Sequence, residues 1–197
     1  MMRIGIFKII KTYERKVRRT NPTTDRISIF SIPKVYYNEG MVRKSILLLL
    51  ALLILGFTIR VYRINQMPMY GDELTIVYDT YSILKTGKDA TGESFPLTFR
   101  MGAGRPGGYI YTSLPFVYLF GPSEWGVRGL SIFSSLGIIV LIFFLGKKLF
   151  NEKVGLIASF LTSISLWDIY LARGGFEAHF ALFLALLGIT SFIYGKY

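Results

Sequence analysis

Tyr109-Ile-Tyr-Thr-Ser-Leu-Pro-Phe-Val-Tyr-Leu-Phe120 is the stretch on which the fold turns. It is apolar and aromatic, yet twelve helical residues rise only about 18 Å, against a hydrocarbon core of about 30 Å. Pro115 interrupts it as well. Counted as a span, it places Lys147, Lys148 and Lys153 outside and puts the regions of Asp72 and Glu177 on opposite sides. Counted as an interfacial helix, it leaves those lysines in the cytoplasm, as the positive-inside rule prefers. The second reading is adopted here. It sets Tyr109, Tyr111, Tyr118 and Trp125 in an aromatic band at headgroup level.

Four other apolar runs flank this stretch, at about residues 45–61, 128–145, 154–171 and 176–194. Each is long enough to be read as a crossing helix. The first follows Arg43 and Lys44 and has no charge until Arg60, which is expected to snorkel to the interface with Arg63. The resulting fold class is an all-α polytopic membrane protein with four transmembrane helices. Membrane-parallel interfacial helices lie in its first external loop, about residues 62–126. The expected location is the cell (cytoplasmic) membrane, multi-pass, with the N-terminus cytoplasmic and that loop outside. The turn at 171–175 then faces outside too, so two chemically suspicious regions share one face.

Composition agrees. Of 197 residues, 52% are hydrophobic and 18% charged, whereas soluble domains carry about a quarter charged residues. The mean hydropathy is +0.45. The net charge of +11 is concentrated: residues 1–44 hold eleven Lys/Arg against three acids, and the remainder holds twelve against nine. That pattern is a basic arm beside a span, not a nucleic-acid surface, and no nucleic-acid partner is expected. Cysteine is absent, which excludes disulfides and thiolate metal sites. The domain reading is a basic N-terminal arm, 1–40, followed by a transmembrane region, 41–197. Within the arm, Lys8 to Arg19 suits a basic amphipathic helix on an anionic leaflet. The alternative is that Met41 is the true start. No small-residue cleavage site follows the first apolar run, so it is not read as a cleaved signal peptide.

Two places carry chemistry. Pro68-Met-Tyr-Gly-Asp-Glu-Leu74 lies just beyond the first span, and apolar or aromatic residues at 74, 77, 78, 81 and 84 follow helical spacing up to Gly87, a natural stop. Asp72 and Glu73 thus open an amphipathic helix lying on the membrane. The ordinary reading is a helix cap on the positive end of the dipole; the chemical reading is a carboxylate base. Further along, Arg100 to Gly108 is glycine-rich, with Arg100 and Arg105 suited to an anion such as phosphate. The second place is Trp167 to Phe180, where Asp168, Arg173, Glu177 and His179 are expected to gather at the membrane surface. His179 is the sole histidine, and its i, i+2 spacing from Glu177 makes a poor metal site.

Several of these stretches, in order, resemble one family: Phe57-Thr-Ile-Arg-Val-Tyr-Arg63, Pro68-Met-Tyr-Gly-Asp-Glu73, Tyr81-Ser-Ile-Leu-Lys-Thr-Gly-Lys-Asp89, Arg105-Pro106, Phe120-Gly-Pro-Ser-Glu-Trp-Gly-Val-Arg128, Lys147-Lys-Leu-Phe-Asn-Glu-Lys-Val154 and Leu171-Ala-Arg-Gly-Gly-Phe-Glu177. Together they are similar to the N-terminal part of the GT-C glycosyltransferases, in particular the protein O-mannosyltransferase and lipid A aminoarabinose transferase group. The resemblance covers about residues 42–197. It departs at Arg105-Pro106, where relatives often carry Lys-Pro or His-Pro and then a second Pro; Gly107 stands in that place.

The resemblance implies a membrane glycosyltransferase using a polyprenyl-phosphate-linked sugar donor. It implies transfer to a protein, lipid or glycan acceptor on the outer face of the membrane. It places Asp72 at the family's catalytic Asp with Glu73 as its partner, and Glu177 at the acidic residue after the third span. Arg105, Arg128 and Arg173 are the candidate donor-phosphate ligands, and Glu177 and His179 mark the acceptor or metal vicinity. A divalent metal ion is an optional cofactor; membrane lipids are the other partners. Such enzymes continue for many more spans, so a C-terminal remainder of the enzyme is expected. Two other classes stay open: a transporter fragment, and a truncated or non-catalytic membrane protein.

Overall fold

A computed structural model describes residues 39–101 and 104–195. The basic arm, including the Lys8–Arg19 helix, lies outside the described residues, as do Gly102 and Ala103 of the glycine-rich segment. Among the described residues, the elements are helices joined by loops, apart from one two-residue strand pair. Helix α1 is Glu39–Val61, and a short 3-10 turn, Ile64–Gln66, follows it. Helix α2 is Gly71–Thr86. Strands β1, Thr98–Phe99, and β2, Arg105–Pro106, pair antiparallel with Phe99 opposite Arg105. Then come α3, Gly107–Phe120; α4, Glu124–Leu149; α5, Glu152–Ser163; α6, Leu166–Arg173; and α7, Glu177–Gly195.

Among the described residues, three helices are long and apolar enough to cross a membrane: α1, α4 and α7. The α5–α6 pair is a fourth if its two arms form one span. The chain is thus a multi-pass membrane protein, with α4 the most buried of the spans. Helix α3 has 14 residues and continues through Pro115, contrary to the interruption expected there. It nonetheless rises only about 21 Å, and it packs between α2 and α4.

The aromatic band expected from Tyr109, Tyr111, Tyr118 and Trp125 is split. Tyr118 is exposed, but Tyr109 is buried in the core, its hydroxyl donating to the carbonyl oxygen of Val127 at 2.9 Å. Tyr111 donates to the carbonyl oxygen of Pro96 at 2.8 Å. A phenol with an internal acceptor has no need of the headgroup layer.

The third apolar run is not one straight helix. It breaks after Ser163 and resumes at Leu166 with a bend of 54°. Ser165 caps the new helix, its hydroxyl accepting from the amide of Asp168. The break leaves carbonyls of α5 without helical partners, and in a membrane each must be satisfied internally. Arg60 of α1 does this: its guanidinium donates to the carbonyl oxygens of Ser163 at 3.0 Å and Thr162 at 3.4 Å. It also pairs with Asp168 and reaches Ser135 of α4. The snorkelling expected of Arg60 therefore does not occur; the residue is fully buried. Lower down, α4 and α5 approach so closely that a Cβ on Gly155 would sit 2.6 Å from the carbonyl oxygen of Phe143.

Candidate active site

The site lies at the end of the bundle where α1 ends and α2, α3, α4 and α7 begin. Helix α2 starts at Gly71, with Tyr70 as its N-cap residue. The Tyr70 amide donates to Glu73 Oε2 at 3.4 Å. Asp72, expected as a possible cap, sits one residue inside the helix and its carboxylate points elsewhere. Gly87 ends the helix in the left-handed region (φ +69°), as its lack of a Cβ permits.

Adjacent acids thus part company, because successive helical residues lie about 100° apart. Glu73 is fully buried and forms a bidentate pair with Arg128: Nε to Oε1 at 2.6 Å and Nη2 to Oε2 at 2.8 Å. Arg128 also donates to the carbonyl oxygens of Ile64 at 2.8 Å and Pro68 at 3.4 Å. The 174–175 turn closes over this pair. Gly175 has φ +58°, and a Cβ there would stand 3.2 Å from Glu73 Oε1. Tyr70 ties the same turn down, donating to the carbonyl oxygen of Gly174. Burial first, and then the Glu73 carboxylate, push the Tyr70 phenol above its ordinary pKa, so it stays a donor.

Asp72 is different: its side chain is 65% exposed. Arg105, at the edge of the strand pair and only 6% exposed, reaches it with Nη2 to Oδ1 at 2.9 Å. The same guanidinium donates to Thr75 Oγ1 at 2.6 Å and to the Asp72 carbonyl oxygen at 3.2 Å. On its other side its Nε lies 3.5 Å from Glu177 Oε1. One buried cation thus joins two partly exposed carboxylates that stand 105 residues apart in sequence, on α2 and α7. An apolar cleft of about 290 Å³ opens beside it, lined by Pro106, Tyr109, Glu177, Phe180 and Leu184. A second apolar groove, about 530 Å³, runs along α2 and includes Thr75.

The other expected residues lie apart from this trio. Arg173 donates to the carbonyl oxygens of Tyr62 at 2.6 Å and Ile59 at 3.3 Å, closing the C-terminus of α1. His179 is fully buried, its Nε2 2.9 Å from Asp168 Oδ1. Asp168 and His179 therefore do not gather with Glu177 at the surface; they belong to the interior network with Arg60 and Ser135. The signal was available: Arg60 and Asp168, each within an apolar run, have opposite charges, and ionisable residues within spans pair with one another. Thr75 and Tyr70 carried no such signal, since their partners are distant in sequence. Among the described residues, no group of three or more His, Asp or Glu side chains is placed to hold a metal ion.

Residues 106–194 match a family model described as dolichyl-phosphate-mannose-protein mannosyltransferase. The match supports a GT-C, mannosyltransferase-like assignment and, at family level, a membrane glycosyltransferase drawing on a polyprenyl-phosphate-linked donor. It takes in Arg128, Arg173, Glu177 and His179; Asp72, Glu73 and Arg105 lie before it. No curated protein and no solved structure matches the chain.

Proposed function

Proceeding from that match, we propose that this chain is a sugar transferase that handles a polyprenyl-phosphate-linked donor, with Asp72 as its general base. The acceptor is a hydroxyl or amine borne by a protein, lipid or glycan, and the reaction takes place on the outer face of the cell membrane. The observation that carries this reading is Arg105, a buried guanidinium held between Asp72 and Glu177 at the mouth of an apolar cleft.

The chemistry follows from the parts. The acceptor's O–H or N–H attacks the anomeric carbon, the new bond forms, and the bond from that carbon to the phosphate oxygen breaks. The proton passes to the Asp72 carboxylate, which is exposed and anchored by only one of its oxygens. Charge develops on the departing polyprenyl phosphate. Arg105 stands nearest to meet it, with a planar fork suited to two phosphate oxygens. Glu177 holds Arg105 from the far side and faces the acceptor. Glu73 and Arg128 act as positioning residues: their buried pair fixes the first turn of α2 and therefore where Asp72 points. Arg173 and His179 serve the same end by holding α1 and α7 at the site. The step as written uses only this chain's own groups and does not pass through a divalent ion.

Asp72→Asn tests the assignment directly. With the full-length protein and a radiolabelled polyprenyl-phosphate sugar, transfer is expected to fall by about 10²–10⁴-fold, while membrane insertion and melting temperature stay at the wild-type value. Retained turnover would remove Asp72 from the role of base.

A further inference from the structure

Resting on the transferase reading above, we infer that Thr75 is a positioning residue: its hydroxyl holds one end of Arg105 in place while the other end passes from Asp72 to the donor phosphate. The two ends of the guanidinium have different neighbours. At one end Nη1 donates to neutral acceptors, Thr75 Oγ1 at 2.6 Å and the Asp72 carbonyl oxygen at 3.2 Å, both in the N-terminal part of α2. At the other end Nη2 donates to Asp72 Oδ1 at 2.9 Å, and Nε lies 3.5 Å from Glu177 Oε1. The Nε and Nη2 N–H bonds run parallel along one edge, the fork that a phosphate takes bidentately. That edge faces carboxylates, so a phosphate seated on it takes the place of Asp72 at Nη2.

Once Nη2 has changed partners, Nη1 still ties the guanidinium to α2, and Thr75 gives it the shorter of its two contacts. The Thr75 proton is already committed: the hydroxyl donates to the Asp72 carbonyl oxygen, three residues back, at 2.9 Å. A hydroxyl has one proton and two lone pairs, so what Thr75 turns toward Nη1 is an acceptor. Neither contact involves a charged partner, and neither competes with the phosphate. Arg105 is buried, so water is poorly placed to replace a lost acceptor. Without the hydroxyl, the fork loses its fixed orientation toward the phosphate. The exchange at Nη2 also releases Asp72 Oδ1, which leaves both oxygens of the base available once the donor is seated. Donor is therefore expected to bind before acceptor.

The test compares binding of tritiated polyprenyl phosphate and of the uncharged polyprenol to the full-length protein in phosphatidylcholine nanodiscs. Thr75→Val keeps the shape of the side chain and removes the hydroxyl, whereas Thr75→Ser keeps the hydroxyl. Thr75→Val is expected to weaken binding of the phosphate about tenfold and to leave binding of the alcohol unchanged. Thr75→Ser is expected to bind both as wild type does. In an Arg105→Gln background, Thr75→Val should have no further effect. The inference is overturned if Thr75→Val binds the phosphate like wild type, or if it weakens phosphate and alcohol alike, as a general disturbance of the fold would. It is equally overturned if Thr75→Ser is no better than Thr75→Val, or if the loss persists in the Arg105→Gln background. Should wild type hold the phosphate no more tightly than the alcohol, the transferase reading itself falls, and this inference with it.

Discussion

Asp72 and Glu73 differ by one position and face different surroundings. Glu73 is enclosed with Arg128, and removing one member of a buried pair strands the other charge. Glu73→Ala is therefore expected to destabilise the protein by about 3–5 kcal/mol. Glu73→Ala combined with Arg128→Met should recover part of that loss, as read by denaturation in bicelles. A single variant as stable as wild type would show that Arg128 has other support. Asp72, by contrast, is free on one oxygen, which is what a base requires. The family resemblance pointed to the pair as a unit; the helix's 100° step separates them into an exposed carboxylate and a buried one.

At the scale of elements, the loop after α2 is organised by one carboxylate. Asp89 accepts the amides of Thr91 at 2.9 Å and Glu93 at 2.8 Å, and the Thr91 hydroxyl at 2.9 Å. Burial pushes its pKa up, but those donors outweigh it and hold the carboxyl below its ordinary value. A depressed folded value means the stabilisation is complete above the unfolded value of about 3.9 and is lost as pH falls through the folded one. Hydrogen exchange at the Thr91 and Glu93 amides is accordingly expected to lose protection only below about pH 4, and Asp89→Ala should abolish it at neutral pH. Unchanged protection across that window would remove Asp89 from this role. The turn matters because it leads into the strand pair that carries Arg105.

Across the whole molecule, Arg60, Ser135, Asp168 and His179 tie α1, α4, α6 and α7 together inside the membrane domain. The network also supplies partners to the broken α5–α6 span. Arg60→Met should cost about 3–5 kcal/mol by removing the cation that faces the buried Asp168 carboxylate and the donor to the helix-end carbonyl of Ser163. Arg60→Met with Asp168→Leu should regain part of it. Additive losses in unfolding measurements would mean the two do not interact. A polar knot of this kind holds helices in register where lipid provides no hydrophobic drive for their association. It also ties α7, which carries Glu177, to α6.

The sequence by itself determined the all-helical membrane character, because long apolar runs have no other stable form in a bilayer. It determined that 109–120 is too short to cross, since length alone decides that. It also showed that α2 ends at Gly87, which a local backbone preference dictates. The tertiary structure alone decided that the third apolar run is bent and that Arg60 turns inward to Asp168. It decided too that Tyr109 is core, and that of three candidate arginines only Arg105 faces two partly exposed acids. Those outcomes depend on partners from 18 to more than 100 residues away, which leave no periodic trace along the chain. Each is selected by the cost of an unpaired charge or amide where water is excluded.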